Sequence, residues 1–248
     1  MQLKRRTLLS GLAASAAVPF MSAAHAKQAD ADTKTDVLVI GYGGAGACAA
    51  IEAHDKGSKV LIIEKMAQPG GNTAISSGGF MIPQDGPTAL KYLTATYDLA
   101  NSEKDDELLN TFCKEIMGVK DWMTGLKEGT ELWVYGHAGF QNLPGWEVID
   151  KYRVRGKKRS GDCLFDLYRY AVEEKRNIPV MLETPAVQLI QKDGQVVGAV
   201  AKNNGKNINI KANKAVILTT GGYEFDPESL RTYAQGENYH ALGHPGNT

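Results

Sequence analysis

Apolar residues fall along this chain in short, dense runs separated by glycine and polar turns. Val37-Leu38-Val39-Ile40 is one such run, the pattern of a parallel strand buried on both faces. A glycine-rich turn follows, then Ala47 to Lys56, whose small residues suit a helix packed closely on a sheet. Lys59 to Glu64 holds a second run, Val60-Leu61-Ile62-Ile63. These segments predict a right-handed β-α-β unit with parallel strands.

Beyond Glu64 the expected next crossover helix does not come. Met66 to Pro83 reads as a loop of glycine, serine and proline, and long loops inside a compact domain are usually functional. Helical patterns return at Thr88 to Ala100 and Asp105 to Leu126, while Glu128 to Lys158 is mixed. Asp162 to Glu174 reads as a helix with Leu164, Leu167, Tyr168 and Ala171 on one face and Asp162 as its cap. The last third reads as strands. Ile178 to Leu182 is short. Ala186 to Gln191 turns at Asp193-Gly194 into Val196 to Ala201, and Asn203-Asn204-Gly205 turns into Ile208 and Ile210, a three-stranded meander. Ala215-Val216-Ile217-Leu218 predicts a further buried strand, closed by Gly221-Gly222. The fold class is therefore α/β, a mostly parallel nucleotide-binding sheet with an added β-meander.

The N-terminus stands apart from this pattern. Lys4, Arg5 and Arg6 precede a short alanine-rich apolar stretch, Leu8 to Val18, and Ala24-His25-Ala26 has the form of a signal peptidase site. The paired Arg5-Arg6 followed by Thr7-Leu8-Leu9 resembles a twin-arginine signal, against the alternative of an ordinary secretory leader. We expect an export signal over 1–26, a polar linker over 27–34 and a nucleotide-binding domain over 35–248, with the protein reaching the periplasm through the twin-arginine machinery. The 28 basic and 28 acidic residues balance, and removing the signal takes three basic residues and no acidic one. A mildly acidic remainder argues against a nucleic-acid partner. Cys48, Cys113 and Cys163 are odd in number and far apart, with no CxxC, which supports neither a zinc ribbon nor a covalent haem. Cys48 falls in a predicted helix as a small apolar side chain. Arg153, Arg155, Lys157, Lys158 and Arg159 form a basic stretch, read as a solvated loop rather than an anion-steering surface.

The chemistry lies in the glycines. Gly41-Tyr42-Gly43-Gly44-Ala45-Gly46 matches GxGxxG between a buried strand and a helix, the context that gives this motif meaning. The first glycine serves the tight turn, the second lets a pyrophosphate approach the backbone, and the third permits close helix–strand packing. The helix start offers free N–H groups to phosphate oxygens. Glu64, at the end of the second strand, is placed to accept hydrogen bonds from ribose hydroxyls. The loop Gly70-Gly71-Asn72-Thr73-Ala74-Ile75-Ser76-Ser77-Gly78-Gly79 then offers backbone N–H groups and small polar side chains to a long cofactor.

VLVIGYGGAGACAA (37–50), VLIIEKMAQPGGNTAISSGG (60–79), TPAVQLIQKDGQVVGAVA (184–201) and AVILTTGGYEFDPE (215–228) together resemble the FAD-binding domain of the fumarate reductase/succinate dehydrogenase flavoproteins. That group includes soluble fumarate and urocanate reductases, L-aspartate oxidase and 3-ketosteroid dehydrogenases. The stretch from about 100 to 175 is less diagnostic. The resemblance implies a Rossmann-like FAD-binding domain. Ala45 and Gly46 would lie against the pyrophosphate, with Gly41, Gly43 and Gly44 in the same turn. Glu64 would hold the ribose with Lys65 beside it. Asn72, Thr73, Gly78 and Gly79 would line the flavin side, Gly71 and Ser77 of the same loop would also bind the cofactor, Val187 would offer backbone to adenine, and Thr220 and Gly221 would pass close to the dinucleotide.

Many relatives bond FAD to a histidine near this loop. No histidine lies in 64–79, so the FAD is expected to be non-covalent. The implied reaction is hydride transfer from flavin N5 to an activated C=C bond of an unsaturated organic acid, a small-molecule substrate, with a cytochrome or another redox protein as electron donor. The alternatives are a 3-ketosteroid-type dehydrogenase and a nucleotide-binding fragment inactive on its own. Relatives carry their substrate-clamping histidine and arginines and their proton-donating arginine after a stretch resembling 240–248, so the chain reads as C-terminally truncated with no catalytic residue of its own. His244 is expected as a turn residue before Pro245; His137 has no evident partner.

Overall fold

The computed structural model describes residues 32–137, 139–234 and 241–248. The expected signal segment and most of the linker lie outside them. β1 (Thr33–Ile40) leads through the glycine turn into α1 (Gly44–Asp55) and β2 (Val60–Ile63), as the apolar runs predict. β1 starts two residues before the expected domain boundary at 35, because Thr33 and Lys34 already pair with Ile210 and Lys211.

The segment expected as one loop after Glu64 contains two elements, a five-residue helix α2 (Gly71–Ile75) and a strand β3 (Phe80–Pro83). Next come α3 (Gly86–Leu99) and α4 (Asp106–Glu115), each started by an aspartate, Asp85 or Asp105, that accepts a backbone N–H of the first turn. The helix expected to run on to Leu126 breaks at a 3₁₀ turn, Ile116–Gly118, before α5 (Val119–Gly125). Within the mixed segment lie β4 (Leu132–His137) and β5 (Ile149–Val154), which join β3 in an antiparallel sheet of order β3-β5-β4. The basic stretch therefore begins inside a strand. His137 does find a partner: its Nδ1 is 3.1 Å from the buried Asp150.

α6 (Ser160–Arg169) begins two residues earlier than expected and ends in a π-helical turn, Tyr170–Glu174. Asp162 is not its cap; its carboxylate pairs with Arg159 at 2.9 Å instead. β6 (Val180–Met181), β7 (Ala186–Lys192), β8 (Gln195–Asn203), β9 (Lys206–Leu218) and α7 (Pro227–Tyr233) complete the described chain. The last meander strand and the following strand are one element: β9 pairs antiparallel with β8 and parallel with β1. The main sheet runs β6-β2-β1-β9-β8-β7, parallel from β6 to β9 and antiparallel beyond.

Strand alternation divides the core. Val37, Val39, Val60 and Ile62 pack with Ala47, Ala50 and Ile51 of α1 and with Leu164, Phe165 and Leu167 of α6. Leu38, Ile40, Leu61 and Ile63 pack with Ala199, Ala201, Ile210 and Ala212. Both faces of β1 and β2 are buried, which accounts for their unbroken apolar runs. The three cysteines are free thiols, and burial pushes that of Cys48 up to about 11. Among the described residues no helix is long and apolar enough to cross a membrane.

Candidate functional site

β1, β2 and β9 end side by side, and beyond their C-terminal ends lies a groove of about 380 Å³. Its walls are residues 40–45, 63–66, 71–73, 184–186 and 219–222, with His244, Gly246, Asn247 and Thr248. Clefts at this end of a parallel sheet are where open α/β folds hold ligands.

The turn into α1 is glycine for different reasons at different positions. Gly41 has φ +106°, and a Cβ there would strike the Thr219 carbonyl. A Cβ at Gly46 would strike the Gly41 carbonyl and lie 2.8 Å from Thr219 Oγ1. The Thr219 hydroxyl, 3.0 Å from the carbonyl oxygens of Ile40 and Gly41, donates into the same turn. Gly43 differs. Its φ is −92°, and the nearest atom to an added Cβ is the Gly70 carbonyl oxygen at 3.6 Å. No protein atom forbids a side chain at Gly43, which lines the groove.

The start of α1 is set for an anion. It has no acidic residue in its first turn and no side-chain cap. Gly44 N–H donates to Thr73 Oγ1 at 3.1 Å, and the N–H groups of Ala45 and Gly46 have no carbonyl one turn earlier in the helix. Across the turn, the Glu64 carboxylate accepts the N–H of Tyr42 at 2.7 Å on Oε2 and of Met66 at 2.8 Å on Oε1. Those bonds fix its plane and leave each oxygen a further lone pair for a ribose hydroxyl.

Tyr42 holds the turn from below. It is fully buried, its ring meets Phe165 edge-on at 5.4 Å, and its hydroxyl donates to Glu173 Oε1 at 3.1 Å. Burial first, then the charge of Glu173, pushes the phenol well above its usual range, so it stays a neutral donor. On the opposite wall the buried Thr184 donates to the Leu182 carbonyl at 2.7 Å and accepts from Asn203 at 2.8 Å. A further cluster closes the end. Glu224 Oε1 accepts from Asn72 Nδ2 at 3.1 Å and Asn247 Nδ2 at 2.6 Å, and His244 N–H donates to Asn72 Oδ1 at 2.6 Å. The Asn247 and Asn72 amides hold the Glu224 carboxyl below its ordinary range.

Residues 36–248 match the family described as FAD binding domain. The chain belongs to that family. A fumarate reductase (cytochrome) of Shewanella frigidimarina is 32% identical over 205 residues, which cover 79% of this chain and 34% of that protein. A urocanate reductase of Eggerthella lenta is 32% identical over 213 residues, 81% of this chain and 34% of that one. The structure of a 3-ketosteroid delta1-dehydrogenase from Sterolibacterium denitrificans superposes with a TM-score of 0.77 at 20% identity, over 87% of this chain and 53% of that one, a likeness of fold. The chain thus spans 34% of the length of each of the two reductases.

The groove suits FAD. It joins an anion-ready helix start, an oriented carboxylate and a bare Gly43 face. Of the residues expected from sequence, Gly41, Gly43, Gly44, Ala45, Glu64, Lys65, Gly71, Asn72, Thr73, Thr220 and Gly221 line it. Gly46 stands behind the lining as the helix–turn contact. Thr73, expected on the flavin side, sits at the start of α1 on Gly44. Ser77, Gly78, Gly79 and Val187 lie outside the lining. Ser77 is exposed, and Gly78 is buried against the backbone of Ser160 and Gly161. Gly79 faces the Tyr135 hydroxyl, and Val187 is 55% exposed beside Ala186, which does line the groove. His244 does more than turn the chain, since its backbone fixes Asn72. Thr219, Thr184, Asn203, Glu224 and Asn247 were not singled out from sequence. The signals that pointed near them are the adjacent TGG for Thr219 and the YEFD segment for Glu224.

Proposed function

We propose that this chain supplies the FAD-holding part of an exported flavin oxidoreductase that reduces the activated C=C bond of an unsaturated carboxylate. The observation that carries the cofactor half is Gly43, a groove-lining glycine whose missing side chain no protein contact requires. When bound, FAD supplies the two-electron chemistry, and the protein supplies position and electrostatics. The start of α1 receives the pyrophosphate through Ala45 and Gly46, and Glu64 accepts the ribose hydroxyls with Lys65 beside it. Asn72, held by Glu224 and His244, fixes the groove wall toward the flavin, where Gly78 and Gly79 continue the same loop. The FAD is non-covalent, in keeping with the absence of histidine from 64–79.

The substrate half is supported by the two reductases, each 32% identical to this chain. Their names supply the class, a small unsaturated organic acid, and that of the Shewanella protein favours a cytochrome as electron donor. The Arg5-Arg6 pair ahead of an apolar stretch supports export through the twin-arginine machinery to the periplasm.

The desalted chain is expected to carry a flavin spectrum, and denaturation is expected to release the flavin as free FAD. A protein without flavin that also takes up none on titration overturns the cofactor half. For the substrate half, the bound flavin is reduced anaerobically and fumarate or urocanate is added. Reoxidation is expected. A flavin that a dye reoxidises but neither acid does overturns the substrate reading.

A further inference from the structure

A second cavity, of about 550 Å³, opens among α1, β3, α4, α5 and α6. Small-molecule sites run from about 300 to 1,000 Å³, so it is large enough for a ligand. It shares no lining residue with the groove at the ends of β1, β2 and β9. α1 touches both. Its first residue, Gly44, lines the groove, while Cys48 and Glu52, about one and two turns on, line the second cavity.

The walls are aromatic. Phe80, Phe112, Trp122 and Tyr168 supply four rings, with Met81 and Met123 beside them. The Trp122 and Tyr168 rings are 6.3 Å apart with their planes inclined at 51°, so they meet as a corner. Phe112 and Met81 stay 49% and 53% exposed, apolar surface that the fold leaves uncovered. The charged residues of the lining are both acidic, Glu52 and Glu115. Glu52 Oε1 accepts the Trp122 indole N–H at 2.7 Å, which orients the indole and sets a negative charge at its edge. Among the described residues no cation pairs with Glu52. Lys114 comes within 3.9 Å of Glu115, both side chains being largely exposed. Lys120 turns instead to the Tyr152 ring, 5.6 Å from its centroid, and does not line the cavity.

This combination selects the charge and the hydration of an occupant. Ring faces carry negative potential, and a cation whose charge is covered by alkyl groups lies against them at little desolvation cost. An anion would meet two carboxylates and no cation in the lining. A metal ion lacks ligands, since among the described residues no three His, Cys, Asp or Glu side chains converge on one point. We propose that this cavity binds a quaternary ammonium compound, its alkylated nitrogen against the rings of Phe112, Trp122 and Tyr168 and its charge beside Glu52. The binding is non-covalent and stands independently of the reductase reading. The competing occupant is a neutral apolar group, from a small molecule or from another protein, which would gain nothing from the carboxylates.

The test titrates choline into the full chain by ligand-observed NMR, with saturating FAD present. The control is 3,3-dimethylbutan-1-ol, the uncharged isostere with carbon in place of the nitrogen. Choline is expected to bind with a Kd of about 10 mM or below, and the isostere at least about fivefold more weakly. Glu52→Gln removes the charge but keeps an acceptor for the Trp122 indole. Phe112→Leu removes a ring but keeps apolar bulk. Each is expected to lower choline affinity by about threefold or more while changing that of the isostere by less than about twofold. Both side chains are exposed, and retained FAD binding and melting temperature report that each variant folds. Should one fail to fold, the other decides. No choline binding to the unaltered chain, equal affinity for the isostere, or unchanged choline affinity in a folded variant would each overturn the proposal.

Discussion

Gly43→Ala separates folding from cofactor binding. The backbone at Gly43, φ −92° and ψ −165°, is one an alanine adopts, and the new methyl would meet only the Gly70 carbonyl oxygen at an ordinary 3.6 Å. Alanine is a poorer helix N-cap than glycine, a cost of some tenths of a kcal/mol. Restricting the unfolded chain returns about 0.4–1 kcal/mol where the native conformation is unstrained. The apo protein should therefore melt within a few degrees of the unaltered one. The cofactor should feel the methyl instead. Overfilling a close contact costs about 1–3 kcal/mol, which is roughly 5- to 150-fold in Kd. Apo chain is titrated with FAD, following flavin fluorescence, and each protein is melted with and without FAD. Native-like melting with an FAD affinity unchanged within about twofold would refute the argument, because the bare face of Gly43 would then not face the dinucleotide.

Gly46→Ala should behave in the opposite way: its Cβ overlaps the Gly41 carbonyl, so the apo chain itself should lose stability by about 2 kcal/mol or more, read from its denaturant midpoint. Glu64→Ala removes the acceptor of two backbone N–H groups as well as the proposed ribose contact, and it should weaken both apo stability, by about 1–3 kcal/mol, and FAD retention on desalting. A variant that keeps its flavin through a desalting column would remove Glu64 from the ribose. Asp55 predicts an acid limb. Hydrogen bonds from Arg176, at 2.7 and 2.6 Å, hold its pKa down from 3.8 to about 2, so this pair stabilises the fold above pH 4 and stops doing so as pH falls toward 2. The carboxylate is 45% exposed, so the effect is limited to about 1 kcal/mol. Denaturant melts of Arg176→Ala should lose that part of the pH dependence, and an unchanged slope between pH 4 and 2 would contradict the assignment.

The parts of the fold that sequence revealed are those where burial and periodicity agree. β1 and β2 are apolar on both faces because both faces are covered, and the glycine turn between β1 and α1 is chemically distinctive. Asp193-Gly194 marked the β7–β8 turn because both residues take positive φ. What escaped detection was set by contacts distant in sequence. α2 is a five-residue helix whose first three residues, Gly71, Asn72 and Thr73, locally favour a loop, and it forms against the start of α6, where a Cβ on Gly161 would crowd the carbonyls of Thr73 and Ala74. β9 looked like two strands because the exposed Asn213 and Lys214 interrupt its apolar pattern while it passes from β8 to β1. Asp162 looked like a cap because aspartate favours that place, but Arg159 holds it elsewhere. In the site, the motif glycines and Glu64 were legible. Thr219, Thr184 and Asn203 were not, because their work is to brace the walls, and the partners that show this lie far along the chain.

The buried Tyr42 has a kinetic consequence. Its ring and hydroxyl pin the glycine turn from the side away from the groove, through Phe165 and Glu173, so the turn is held without any contribution from a ligand. A turn that is already ordered has little freedom left to lose when a dinucleotide arrives, and association need not wait for a rearrangement. Differences in residence time among variants of the groove should then appear in the rate at which the flavin leaves, with its rate of entry nearly constant.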